Sequence, residues 1–292
     1  MSDILLQAAA KRGVAIPPPP HDAAALGALA AGVFLQPVRG GRRMPREEAY
    51  LASARTCRVT TSVGALAAWE WGEPGAPLVG LVHGWEGHAG QLGAFAGPLA
   101  AAGFRVLAFD APGHGDSPGD EAHVPLLARL LPEIEAVVGR FFGFVGHSMG
   151  AAAAAFSIAR GTAPRALVLL APPMSMRERV ERVSARLALG PDVHAAFVAA
   201  VEWRTGVSFA DVDMDALADR APCALLVFHD PEDSDTTFSE SARIVARWRG
   251  ARLVPCPGRG HYRLLATPEV VRQAVEFLAA EAAEPGAGGR AR

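Results

Sequence analysis

Gly146, His147, Ser148, Met149 and Gly150 read G-x-S-x-G, directly after the apolar run Phe141–Val145 and directly before the helix former Ala151–Ala155. In a chain with 31 glycines such a pattern arises by chance, so the flanking strand and helix give it meaning. A serine on a tight strand-to-helix turn between Gly-sized neighbours has its hydroxyl thrust above the sheet. The helix N-terminus beneath it favours a developing negative charge. The chemistry that fits is nucleophilic attack and acyl transfer. Serine is a weak nucleophile at neutral pH, so it needs an adjacent base, itself held by a carboxylate.

The elements that must position these groups come from the pattern around them. Arg58 to Ser62 and Ala65 to Trp71, joined by a turn at Gly64, read as an opening hairpin. Near-continuous apolar runs follow at Leu78 to Val82, Arg105 to Phe109, Phe141 to Val145, Ala166 to Leu170, Ala224 to Phe228 and Ala251 to Pro255. Strands without alternation are buried on both faces, as in a parallel sheet covered by helices. The intervening stretches, Gln91 to Ala102, Val124 to Val138, Ala151 to Arg160 and Phe238 to Trp248, are long enough for crossover helices. The expected fold class is α/β, a doubly wound, mostly parallel sheet.

One connection breaks the rhythm. Roughly fifty residues separate the strand ending near Ala171 from the one beginning near Ala224, far more than a crossover helix requires. Met176, Val180, Val183 and Leu187 fall on one helical stripe there, with Val193, Phe197 and Val201 on a second. This predicts a helical cap over residues 174–221, inserted between core segments 56–173 and 222–282. Arg177, Arg179, Arg182 and Arg186 occupy the other faces; Glu178 and Glu181 between them point to a solvated, ion-paired surface rather than a site for an acidic substrate. Residues 1–55 read as an N-terminal helical extension, with Pro17 to Pro20 as a stiff linker, and 283–292 as a disordered tail.

Composition narrows the class of function. The chain has 292 residues, 50% hydrophobic and 20% charged, with formal net charge -2, which gives no electrostatic footprint for nucleic acid or an anionic membrane. The apolar stretch Ala23 to Leu35 is shorter than the roughly 18 residues of a membrane span, and Asp3 replaces the basic start of a signal peptide. Cys57, Cys223 and Cys256 are too few for a disulfide framework and are not at metal-ligand spacing, so a cytoplasmic setting is expected.

The motifs together resemble the α/β-hydrolase family over nearly everything from Thr56 to Glu281. His83, Gly84 and Trp85 are similar to its H-G-x loop, Asp110 to Ser117 (DAPGHGDS) to its D-x-x-G-x-G-x-S loop, GHSMG to its elbow, and Gly260 and His261 to its late G-H. The resemblance implies the chain order Ser, acid, His, with Ser148 as nucleophile and His261 as base. The acid then falls in His229 to Asp235, where the family's h-G-x-x-D pattern places Asp233; Asp230, standing where Gly is usual, is the alternative. Backbone amides of Met149 and Trp85 become the oxyanion donors. Trp85, Met176, Val180 and Val183 are the expected substrate-binding side chains, although Trp85 could serve packing alone. His83, His114, His147 and His229 are expected to be structural hydrogen-bonding groups.

The function this implies is a serine hydrolase cleaving a carboxylic ester of a small molecule through an acyl-enzyme, with no metal or organic cofactor. Ser at the elbow argues against the epoxide hydrolases and haloalkane dehalogenases of the same family, which use Asp there. Thioester, lactone, amide and carbon-carbon bond hydrolysis use the same machinery, and a ligand-sensing protein that retains a triad is the alternative of a different class.

Overall fold

Apolar strands without alternation need cover on both faces, and the chain provides it. The computed structural model describes residues 3–39, 43–209, 214–219, 221 and 223–284. Its strands are β1 (Arg55–Thr61), β2 (Gly64–Trp71), β3 (Leu78–Val82), β4 (Arg105–Phe109), β5 (Phe141–His147), β6 (Ala166–Leu170), β7 (Ala224–His229) and β8 (Arg252–Pro255). They form one eight-stranded sheet in the order β1-β2-β4-β3-β5-β6-β7-β8. β1 and β2 pair as the expected antiparallel hairpin, β2 also runs antiparallel to β4, and every other pairing is parallel.

The helices are α1 (Asp3–Arg12), α2 (Ala23–Leu35), α3 (Pro45–Ala52), α4 (Gly93–Ala101), α5 (Val124–Val138), α6 (Met149–Phe156), α7 (Met176–Arg186), α8 (Pro191–Thr205), α9 (Met214–Ala218), α10 (Phe238–Arg247), α11 (Gly260–Arg263) and α12 (Pro268–Ala283). The pleat divides the central strands between two cores. Leu78 and Val82 of β3, with Leu167 and Leu169 of β6, join α5 and α6 on one face. Val79, Leu81, Val168 and Leu170 join α4 and α12 on the other. Helix α12 runs to Ala283, one residue into the tail expected from 283; from 285 on that tail lies outside the described residues.

A third cluster joins the N-terminal extension to the insertion. Leu5 and Ala9 of α1 and Leu29, Ala30 and Val33 of α2 pack with Val180 of α7 and with Phe197 and Val201 of α8. Phe34 meets Phe197 edge-on with ring centroids 5.8 Å apart. The first two helices are therefore part of the same layer as the insertion. This layer stands over the carboxyl ends of the parallel strands, where open α/β sheets place their ligand crevice.

Candidate active site

The turn between β5 and α6 has the geometry that the G-x-S-x-G pattern demands. Ser148 sits at φ 49° and ψ -121°, a left-handed conformation costing on the order of 1–3 kcal/mol. A Cβ on Gly150 would lie 2.2 Å from the Val82 carbonyl oxygen, and one on Gly146 2.6 Å from Ala151 Cα, so neither position admits a side chain. The Ser148 amide donates to Leu170 O at 2.9 Å, and the Ser148 carbonyl accepts from Ala151 and Ala152, which fixes the turn at both ends. Its side chain lines a cavity of about 400 Å³.

His261 lies in α11, just after β8, and is buried. Its Nδ1 stands 2.7 Å from Asp233 Oδ2. Asp233 also accepts from the amides of Asp235 and Thr236 at 2.7 and 3.1 Å, and from the Thr236 hydroxyl at 3.2 Å. His229, at the end of β7, approaches the same carboxylate, Nε2 to Oδ2 3.5 Å. Burial alone would raise the Asp233 pKa; the hydrogen bonds from His229 and His261 outweigh it and hold the carboxyl well below the usual range. With Nδ1 committed to Asp233, Nε2 is the ring nitrogen left for a proton from Ser148. No hydrogen bond joins the Ser148 hydroxyl to His261 in this structure, and such contacts often tighten only once substrate is bound.

Asp230 is placed otherwise. Its Oδ1 accepts from the Glu232 amide at 2.9 Å and its Oδ2 from the Gly260 amide. It ties the loop after β7 to the residue preceding His261 and has no contact with the imidazole. The carboxylate at the ring is Asp233.

The expected oxyanion donors lie beside Ser148. Met149 opens α6, so its N–H belongs to the helix's first, unpaired group. Neither the Met149 nor the Trp85 amide donates a hydrogen bond to any described residue, and both side chains line the cavity. Two buried histidines hold the Trp85 loop. His83 Nε2 accepts from Ala111 N at 2.9 Å while Nδ1 donates to Gly84 O at 2.7 Å. His114 Nε2 accepts from Glu86 N at 3.0 Å while Nδ1 donates to Pro112 O at 2.8 Å. Both act as neutral connectors: burial lowers His83 to about 4, and burial followed by the His83 charge lowers His114 to about 3.

Met176 and Val183 line the cavity, but Val180 does not. It is 1% exposed and turned into the core beneath α2 and α8, because α7 carries helices on that side and the stripe splits between core and cavity. The expected ion-paired face of α7 also differs. Glu178 pairs with Arg243 of α10 at 3.4 Å, and Arg182 donates to the carbonyls of Ser234 and Asp235 at 2.9 and 3.2 Å. Sequence reasoning gave the N-terminal extension no part in the site, yet Ile4, Ala8 and Phe34 line the cavity and Arg12 of α1 pairs with Glu86 at 2.9 Å. A short apolar helical pattern does not reveal which surface it covers, so nothing in the sequence marked them.

For metals, Asp233, Asp235 and His261 offer ligand atoms within 4.8 Å of one another. Asp233 and His261 are already bonded to each other there, so this is a hydrogen-bonded cluster and not a set of free ligands.

The sheet order, the crossover helices and the elbow turn define an α/β-hydrolase fold. A model of the serine aminopeptidase S33 family matches residues 73–201, which hold the H-G-x loop and the elbow. A serine hydrolase-like protein of Dictyostelium discoideum is 34% identical over 93 residues, 30% of this chain; the match spans about a quarter (26%) of that protein's length. Among solved structures, a Pyrococcus furiosus esterase is similar at TM-score 0.62 and 19% identity, covering 85% of this chain and 97% of its own. A Paleococcus ferrophilus monoacylglycerol lipase is similar at TM-score 0.58 and 22% identity, over 74% and 99%. A putative lipase of Acinetobacter baumannii gives TM-score 0.64 at 16% identity, over 83% and 99%. At these identities the structures establish the fold. Among the described residues no helix is long and apolar enough to cross a membrane.

Proposed function

We propose that the protein is a serine hydrolase cleaving a carboxylic ester of a small molecule through an acyl-enzyme. The observation that carries this reading is the 2.7 Å contact between His261 Nδ1 and Asp233 Oδ2, in a protein whose elbow serine lines a cavity of about 400 Å³. Ser148 Oγ attacks the ester carbonyl as its proton passes to His261 Nε2. Asp233 orients the ring and stabilises the imidazolium, and the Met149 and Trp85 amides receive the oxyanion. The tetrahedral intermediate collapses, and the alkoxide leaves with the proton from His261. Water, deprotonated by the same nitrogen, then releases the acid and restores Ser148. Helices α1, α2 and α7 form the cap over the cavity. The free thiols Cys57, Cys223 and Cys256 fit a reducing, cytoplasmic compartment.

The test is turnover of short 4-nitrophenyl esters by the full chain, with a fluorophosphonate probe to mark the nucleophile. The reading expects many turnovers per site and labelling that is absent in Ser148→Ala. A single release of nitrophenol per site followed by a stall would favour the ligand-sensing alternative.

A further inference from the structure

The cavity lined by Ser148 also holds a guanidinium that has no ion-pair partner among the described residues. Five charged residues line it: Arg12, Glu86, Arg179, Arg186 and Asp235. Arg12 and Glu86 neutralise each other at 2.9 Å. Arg179, half-buried on α7, makes one hydrogen bond, a long 3.4 Å contact with the Asp235 backbone carbonyl. Its remaining N–H groups make no hydrogen bond to any described residue, and no described carboxylate, that of Asp235 included, stands within ion-pair distance of it or of Arg186. Burial, then the neighbouring Arg186 charge, press the Arg179 pKa below the usual guanidinium value. A guanidinium drawn out of water without a carboxylate costs stability. It is retained most readily where a ligand supplies the missing charge.

Phe34, Ala152, Met176 and Val183 give the same cavity apolar walls. A substrate that lies against these walls and meets both Ser148 and Arg179 therefore needs an apolar chain. We infer that the cavity selects esters whose apolar chain ends in an anionic group, a carboxylate or a phosphate, held by the Arg179 fork with Arg186 beside it. The fork donates two parallel N–H bonds to either oxyanion, a geometry lysine cannot reproduce. This inference rests on the hydrolase reading and names its substrate class.

The experiment compares mono-(4-nitrophenyl) suberate with 4-nitrophenyl octanoate, which share a leaving group and chain length and differ in the terminal carboxylate. The wild type should hydrolyse the anionic ester with the higher kcat/KM, by about tenfold or more, the size expected of a hydrogen bond to a charged group. The preference should shrink as sodium chloride is raised, because screening weakens partly exposed charge pairs. Arg179→Gln should lower the ratio of the two kcat/KM values about tenfold, and Arg179→Lys should restore part of it. Even if Arg179→Gln folds poorly, the wild-type ratio and its salt dependence decide between preference and none. Competition by suberate and by octyl phosphate against octanol then separates the two anion sources; both anions must outcompete octanol, and the tighter one identifies the headgroup. Ser148-dependent hydrolysis of octanoate with no preference for suberate overturns the anionic-substrate inference and leaves the hydrolase reading intact. No hydrolysis of either ester, with no labelling of Ser148, overturns both.

Discussion

His147 Nε2 donates to the backbone carbonyl of His261 at 3.0 Å, and the two rings lie 4.7 Å apart. The residue before Ser148 thus holds the residue proposed as base, across 114 positions of sequence. Its other nitrogen, Nδ1, is buried and has no partner among the described residues. Burial first, then the His261 charge, push His147 to about 3, so it remains a neutral donor near neutral pH. From Asp230 the His261 loop receives a second tie, at the Gly260 amide.

If Ser148 and His261 act as one unit, Ser148→Ala and His261→Ala should each lower kcat by about 10⁴ to 10⁶, and the double variant should lose little more. Steady-state kinetics on the three variants decides this. Losses that multiply would contradict the assignment.

The two aspartates should separate by kind as well as size. Asp233→Asn presents an amide to His261 Nδ1, favours the wrong tautomer and should cost about 10⁴ in kcat with the fold intact. Asp230→Asn weakens the tie to Gly260, so it should cost far less in kcat and about 1–3 kcal/mol in stability. Kinetics beside urea unfolding reads both, and reversed magnitudes would move the role of acid to Asp230.

Three buried histidines and the half-buried His123 set an acid limit. Burial is the largest cause in each, and it lowers His83 and His123 to about 4 and His114 and His147 to about 3. Above the unfolded value of about 6.5 both states are neutral and the rings contribute no pH dependence. As pH falls below it, the unfolded chain takes up protons that the folded chain refuses. Stability is therefore lost from about pH 6.5 down to the folded values, by up to about 1.4 kcal/mol per pH unit for each ring. Urea midpoints should be level between pH 7 and 8 and drop steeply between pH 6 and 4; a level profile down to pH 4 would contradict the neutral-connector account.

Much of this was legible in the sequence because its physics is local or repetitive. The β3 to β7 strands declared themselves as unalternating apolar runs, and the Ser148 turn as two glycines in a strand-to-helix context. Tertiary choices were not legible. Intrahelical ion pairs are worth only a few tenths of a kcal/mol, so Glu178 could leave the α7 arginines for Arg243 of α10. The approach of α1 to the cavity is decided by packing on α2, α7 and α8, which no short helical pattern specifies.

The split stripe on α7 gives a paired test. Val183 lines the cavity, so Val183→Ala should shift the kcat/KM ratio for long against short acyl esters, within the roughly 1–3 kcal/mol that one methylene is worth in a pocket. Val180 lies in the core, so Val180→Ala should leave that ratio unchanged and lower stability by about 1–3 kcal/mol. Ester-series kinetics with thermal melts distinguishes them. An unchanged ratio with a lower Tm for Val183→Ala would make that residue core as well.

The central claim is a covalent intermediate on one named oxygen. Acid quenching within the first turnover of a 4-nitrophenyl ester, followed by peptide mapping by mass spectrometry, measures it directly. The account predicts one acyl mass per chain on the peptide containing Ser148, absent in Ser148→Ala and accumulating in His261→Ala only if attack outpaces water. An acyl mass on another residue, or turnover undiminished in Ser148→Ala, would contradict it.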